Sequence, residues 1–331
     1  MAPLLGLLTA FATACAADAP QDALKPAGEY ARKADQLWDI TFAIAVAVFV
    51  VVEGVLVYTI IKFRNKDDGR KAEQFHGNTR LEVVLTIIPS LILAGLAVPT
   101  VKTIFDISNR PKGEVLEITV IARQFWWEFH YDEEKIVTAN ELHIPAGKNV
   151  HLDLRGADVN HSFWIPRLAG TQDAIPGRVN SMYLQADRPG RYIGQCKEFC
   201  GLSHANMRQI VFAHTQEDYD QWVREQKQGV PAPANPDDRK AAQLFMDKGC
   251  AGCHAIEGLE GAERIEGKIG PDLTHYGSRT TFGGAVFRNT PEELSRWLRD
   301  PPAMKPGVDM PNLGLTDEEI SSLVAYLLKL K

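Results

Sequence analysis

The stretch Gly194–Met207, "GQCKEFCGLSHANM", sets Cys196, Cys200, His204 and Met207 at successive spacings of four, four and three. Thiolate, imidazole and thioether are soft or borderline donors, and together they select copper over calcium, magnesium or manganese. A mononuclear blue-copper site needs one cysteine, two histidines and a weak axial methionine. The second cysteine permits two thiolates to bridge two metals, each then completing its shell with one histidine and one weaker donor. The missing histidine must come from elsewhere. His161 in "DVNHSFWIP", about thirty-five residues upstream after a strand, is the best candidate; His143 and His151 read as structural. A disulfide between Cys196 and Cys200 would leave His204 and Met207 unexplained.

A second cluster, "CAGCH" at 250–254, is a C-x-x-C-H pattern. In an exported protein it reads as covalent haem attachment, with thioethers at Cys250 and Cys253 and the His254 imidazole on the iron. A redox dithiol would sit beside a βαβ pattern, which is missing here. A haem that passes electrons without binding oxygen needs a sixth ligand, and a thioether raises its potential. Met304 in "PPAMKPG" and Met310 in "GVDMPNLGLTDEE" are the candidates.

These clusters must be placed by the rest of the chain. Its 331 residues suffice for two modest domains and extra segments. A net charge of −6, with no Lys/Arg stripe outside one short loop, argues against nucleic acid as the partner. Residues 40–61 carry one charge, Glu53, and residues 83–101 carry none. At ~1.5 Å per residue each spans a ~30 Å hydrocarbon core. The loop between them holds Lys62, Arg64, Lys66, Arg70, Lys71 and Arg80, so it stays cytoplasmic and both termini face outward. Glu53, in mid-membrane, is expected to face the bundle or a partner. The first fifteen residues read as an export signal ending at Cys15, either of the lipoprotein kind, with that cysteine lipidated, or a plain signal peptide. With every cysteine given a competing use, no pair remains for a staple.

Alternation in "EVLEITVIA" (114–122) and "VHLDLR" (150–155) marks strands, and shorter ones follow near 181–184, 191–194 and 209–213 between Gly and Pro turns. Residues 111–215 are expected to form an antiparallel β-sandwich. The Pro/Gly-rich segment 226–239 reads as a semi-extended linker. Beyond it, 240–331 are expected to be a small α domain. Thr290, Pro291 and Glu293 open one of its helices, and the capping box Thr316/Glu319 opens the last, whose face is Ile320, Leu323, Val324, Leu327 and Leu328.

The C-terminal part resembles class I c-type cytochromes, whose C-x-x-C-H, G-P-x-L and late M-P motifs are met by Cys250–His254, Gly270–Leu273 and Met310–Pro311. That pattern implies Met310 as the sixth ligand. "DVNHSFWIP", "DAIPGRVN" and "GQCKEFCGLSHANM", preceded by a two-helix hairpin, resemble cytochrome c oxidase subunit II, in the bacterial form with a fused cytochrome c. The resemblance covers roughly 35–331. It implies a transmembrane hairpin over 36–106 (helices about 39–62 and 82–105), a cupredoxin-like sandwich and an all-α class I cytochrome c domain. It implies a dinuclear CuA centre bridged by Cys196 and Cys200, with His161 and His204 as imidazole ligands and Met207 and the Glu198 carbonyl as weak axial donors. It further implies a magnesium ion on the Glu198 side chain shared with subunit I, and Glu82 at the mouth of a proton channel into that subunit.

The implied role is that of the subunit of a cytochrome c oxidase where electrons enter. They pass from haem c to CuA and on to subunit I, where oxygen is reduced and protons are pumped; no catalytic residue is expected on this chain. The implied partners are subunits I and III, an upstream cytochrome c or cytochrome bc-type complex, and the lipid of a bacterial plasma membrane whose outer face carries both redox domains. A CuA subunit of a nitric oxide reductase and a membrane-anchored copper-delivery protein are the alternatives. The chain departs from the family pattern at Phe125, where the aromatic run "FWW" usually starts with an electron-receiving Trp, and at Thr171, where a lysine is common. A tethered donor haem makes the first departure sensible, since a linker of this kind supplies an effective concentration near millimolar.

Overall fold

The computed structural model describes residues 19–64, 76–230, 233, 235–265 and 269–331. Cys15, with the rest of the signal, and the basic Lys66, Arg70 and Lys71 lie outside them, as does part of the predicted linker.

Two compact units emerge, Arg32–Asn109 and a second that joins residues 19–31 to 110–331. The first holds most of α1 (Glu29–Lys62) and all of α2 (Thr79–Ser108). Both are long and apolar enough to cross a membrane, and their apolar side chains point outward. The two helices cover the apolar stretches 40–61 and 83–101 and run past them at both ends. Apolar residues set the spans, but caps set the ends: Asn78 accepts the Leu81 N–H at 3.2 Å and begins α2 three residues before Glu82 becomes its first-turn carboxylate.

The second unit opens with β1 (Val115–Arg123), β2 (Trp126–Tyr131), β3 (Ile136–Ala139), β4 (Glu141–Pro145) and β5 (Asn149–Gly156). It continues with β6 (His161–Trp164), β7 (Thr171–Ala174), β8 (Asn180–Leu184), β9 (Gly190–Gln195) and β10 (Arg208–His214). Strands β3-β2-β1-β5-β8 form one sheet, β4-β10-β9 the facing one, and β6 pairs with β7. The core is built as the alternation requires: Leu116, Ile118 and Val120 of β1 and Val150, Leu152 and Leu154 of β5 all point inward and are buried.

The antiparallel expectation holds for most ladders. The β1–β5 and β4–β10 pairs are parallel, because the chain leaves the larger sheet for β4 in the other one before β5 returns in the direction of β1. Strands β2, β4 and β6 escape alternation analysis because neighbouring residues on both faces are covered, as in the Trp126–Trp127 pair.

Helix α3 (Gln216–Gln226), capped by Thr215, follows the sandwich, and α4 (Pro236–Asp247) opens the C-terminal part. The last four residues of the expected linker are the first turn of α4, because Asn235 accepts the Asp238 N–H at 2.8 Å and Pro236 takes the first helical position. A short β11 (Thr281–Phe282) and β12 (Phe287–Arg288) precede α5 (Pro291–Arg299), α6 (Pro301–Met304) and α7 (Asp317–Leu327). Both predicted caps form, the Thr316/Glu319 box reciprocally. Phe245, Leu294, Ile320, Leu323, Val324 and Leu327 are buried in one cluster under the haem-type motif.

Candidate metal centre and haem cavity

The copper-type loop hangs between β9 and β10. Its base is fixed by main-chain bonds, Cys196 N–H to Met207 O at 2.8 Å and Lys197 N–H to Ser162 O at 3.0 Å, and the second of these sets the loop beside β6 and hence beside His161. Ligand atoms of His161, Cys196 and Cys200 lie within 4.8 Å of one another, all three residues buried. Around them the Cys196 thiol is 4.0 Å from His161 Nδ1 and the Cys200 thiol is 3.6 Å from His204 Nδ1 and 3.8 Å from the Met207 sulfur. The Glu198 carbonyl is 3.3 Å from Cys196 Sγ, while the Glu198 side chain is exposed. The fold thus brings together the six residues expected of the centre.

The chemistry of this donor set fits a bridging cation pair. Contact with Cys200 pulls the Cys196 thiol down to about 4, against burial, and the resulting thiolate, with burial, holds Cys200 above the thiol range. Two adjacent thiolates are stable only when positive charge lies between them.

Spacing alone did not single out Asp158. Burial opposes charge on His161, but the Asp158 carboxylate, 2.7 Å from Nε2, and Cys196 outweigh it and raise the histidine. Burial likewise opposes the Asp158 charge, and His161 with the Gln124 and Val159 N–H groups outweighs it. A carboxylate on Nε2 fixes the ring's tautomer and leaves Nδ1 to face the sulfur. The D-x-x-H spacing was a signal available in the sequence.

The second site is a largely apolar cavity lined by Cys250, Cys253, His254, Pro271, Trp297 and Met310, among others, with about 1180 Å³ of empty space including its open mouth. His254 Nδ1 donates to the Pro271 carbonyl at 2.8 Å, a bond that fixes the orientation of the ring. Gly270 is required here, since a Cβ would come within 2.7 Å of the imidazole. Met310 lines the cavity and accepts from Trp297 Nε1 at 3.1 Å; Met304 ends α6 and is not in the wall. Tyr276, also in the wall, has a buried hydroxyl with no partner among the described residues. Two cysteines, one histidine, one thioether and an orphan hydroxyl around an apolar slot fit a covalent haem.

The cavity has a wall that the sequence did not foretell. Gln124, Phe125 and Trp126 of the sandwich line it together with Gly283, Gly284 and Lys305. Phe125 is 3% exposed and Trp126 9%. On its far side the same segment reaches the copper-type loop, where the Gln124 side-chain amide donates to the Cys200 carbonyl. Buried Glu141 accepts from the N–H and hydroxyl groups of Thr280 and Thr281, Arg208 N–H donates to Gly284 O at 2.9 Å, and Ser203 donates to Pro306 O at 2.6 Å.

Residues 20–103 match the cytochrome c oxidase subunit II transmembrane domain, 132–214 its periplasmic domain and 239–331 cytochrome c. A cytochrome c oxidase subunit 2 from Alkalihalophilus pseudofirmus is 36% identical, covering 99% of this chain and 96% of the relative. That of Bacillus subtilis is 32% identical, covering 93% and 91%. The solved periplasmic domain of cytochrome oxidase subunit II from Bradyrhizobium japonicum is 30% identical over 35% of this chain and 96% of its own, with a TM-score of 0.34.

Proposed function

From the premise that this chain belongs to the cytochrome c oxidase subunit II family, with a cytochrome c domain attached, we propose how it works within the oxidase complex. Electrons pass from a haem c on Cys250 and Cys253 to a dinuclear copper centre on Cys196 and Cys200, and then to subunit I for oxygen reduction coupled to proton pumping. Both groups, when bound, supply reversible one-electron chemistry. The observation that carries this reading is that Gln124, in the wall of the cavity, also donates its side-chain amide to the Cys200 carbonyl of the copper-type loop.

The chain's own residues supply orientation and exclusion of water. His161 approaches the Cys196 sulfur and His204 the Cys200 sulfur, Asp158 holds His161 in one tautomer, and buried Met207 lies against the Cys200 sulfur. Cys196 and Cys200 would hold a copper pair through their thiolates, and that group would supply one-electron transfer with little rearrangement. In the cytochrome part, the Pro271 carbonyl orients His254 and Trp297 orients Met310.

Three finer roles belong to the same proposal. The exposed Glu198 carboxylate binds a magnesium ion at the junction with subunit I. Glu82 stands at the mouth of a proton channel, a role compatible with its contact to the Asn78 N–H at 3.3 Å, because that contact is exposed. The upstream donor, a cytochrome c or a bc-type complex, delivers to the haem, and subunit III completes the assembly in the plasma membrane.

The deciding measurement is the copper-to-iron ratio of the full-length chain with its electron paramagnetic resonance spectrum. About two coppers per haem iron, with one unpaired electron shared over both, is expected. One copper with an ordinary blue-site spectrum, or copper lost to a chelator, would overturn the reading.

A further inference from the structure

Lys305 is 1% exposed, among the largest fully buried side chains of the molecule. An ammonium so placed is costly unless its donors are paired. It belongs to the cytochrome part, directly after α6, yet its Nζ donates to Phe125 O in the sandwich at 2.6 Å and to Gly283 O at 2.8 Å. Phe125 follows Gln124, which bonds the copper-type loop at Cys200 O, and all four of Lys305, Gly283, Phe125 and Gln124 line the haem cavity. Lys305 therefore ties the cavity wall to the segment that also bonds the copper-type loop. Nothing in haem ligation or copper ligation calls for a lysine there.

The surroundings are built to receive it. Gly284 has φ +79°, and a Cβ at that position would meet Lys305 Nζ, the Asn206 carbonyl at 2.7 Å and the Phe125 carbonyl at 2.8 Å. The same seam carries the Glu141 bonds to Thr280 and Thr281 and the Arg208 bond to Gly284. Of these, Lys305 alone joins the cavity wall to the aromatic segment.

We propose that Lys305 is a positioning residue that latches the cytochrome part onto the sandwich, fixing the haem cavity against Phe125 and the copper loop in one closed geometry. The linker then connects two parts that stay docked, and transfer between them is unimolecular, without a search step. The electron-transfer consequence rests on the proposed function. The latch itself does not.

The test is amide hydrogen exchange of the isolated full-length chain, read at Arg208, Thr280 and Thr281, whose N–H groups are held by bonds across the seam. In K305M these three are expected to exchange at least about tenfold faster, while amides of α7 and β1 keep their protection. Unchanged seam amides would overturn the latch, as would an equal rise through α7, which would make Lys305 a stabiliser of the cytochrome fold alone. G284V wedges the same seam, its Cβ crowding the Lys305 Nζ and the Asn206 and Phe125 carbonyls. If it releases the three amides and K305M does not, packing holds the seam and the proposal falls. With both cofactors bound, copper reduction after flash reduction of the haem is expected to be independent of solvent viscosity in the natural chain and viscosity-dependent in K305M; independence in both would also overturn it. Exchange uses neither redox signal, so a chain that fails to load copper or haem cannot be mistaken for one without a latch.

Discussion

The copper loop and the haem cavity, though side by side, are built on opposite plans. The loop is a polar knot: six candidate ligand groups from Cys196–Met207 and His161 converge through short main-chain bonds, and an outer carboxylate sets the one histidine that comes from a different strand. The cavity is an apolar shell in which two cysteines, His254 and Met310 come from points up to sixty residues apart and are placed by the packing of α4, α5 and α7. A metal pair needs a few donors at fixed separations, which a loop can encode. A tetrapyrrole needs a large dry surface, which only a packed core can supply.

The sharpest way to break that contrast is to exchange the cysteines. Cys196→Ser or Cys200→Ser is expected to abolish the shared-electron copper spectrum with the haem absorbance intact, and Cys253→Ser to lose one thioether with copper content unchanged. Concerted loss of both groups in either variant would show that the sites fold as one.

Next in size is the axial sulfur. Met310→Ala should remove the sulfur–iron absorption band, and Met304→Ala should leave it; the reverse would reassign the ligand.

A smaller effect is expected at Asp158, which tests whether the loop depends on its outer support. Asp158→Asn should keep both coppers but weaken their binding by about 10–100-fold. The pH sign follows from His161, which copper must meet unprotonated. Its folded pKa is raised, so copper affinity falls as pH drops through that value, and the variant's acid limit should move to lower pH. An unmoved limit in a copper titration would deny Asp158 this role.

The smallest effect tests the cavity's own polar support. Trp297→Phe removes one N–H donor from the Met310 sulfur, worth roughly 0.5–1 kcal/mol, or on the order of 20–40 mV for one electron. A freer sulfur donates more to the iron, so potentiometry should find the haem potential lowered.

What could be read in the sequence follows the same division. Cys196, Cys200, His204 and Met207 were legible because the loop carries its own geometry, and Thr290, Thr316 and the faces of β1, β5 and α7 were legible because caps and periodicity are local. Strands β2, β4 and β6 were not, since burial on both faces erases alternation. Asp158 was within reach as the third residue before His161. Lys305 and Glu141 were beyond reach: in sequence each is one more charged residue, and only the meeting of segments some 140 to 180 positions apart makes them buried partners of Thr281 and Phe125.

Phe125 and Trp126, sealed beneath the cytochrome part, are closed to any molecule in solution. The opening of the cavity carries instead the exposed Ile269 and Leu313. Burying one aromatic pair thus gives the sandwich and the attached part a common interior, so that a change in the packing of either is felt in the wall of the other's cavity.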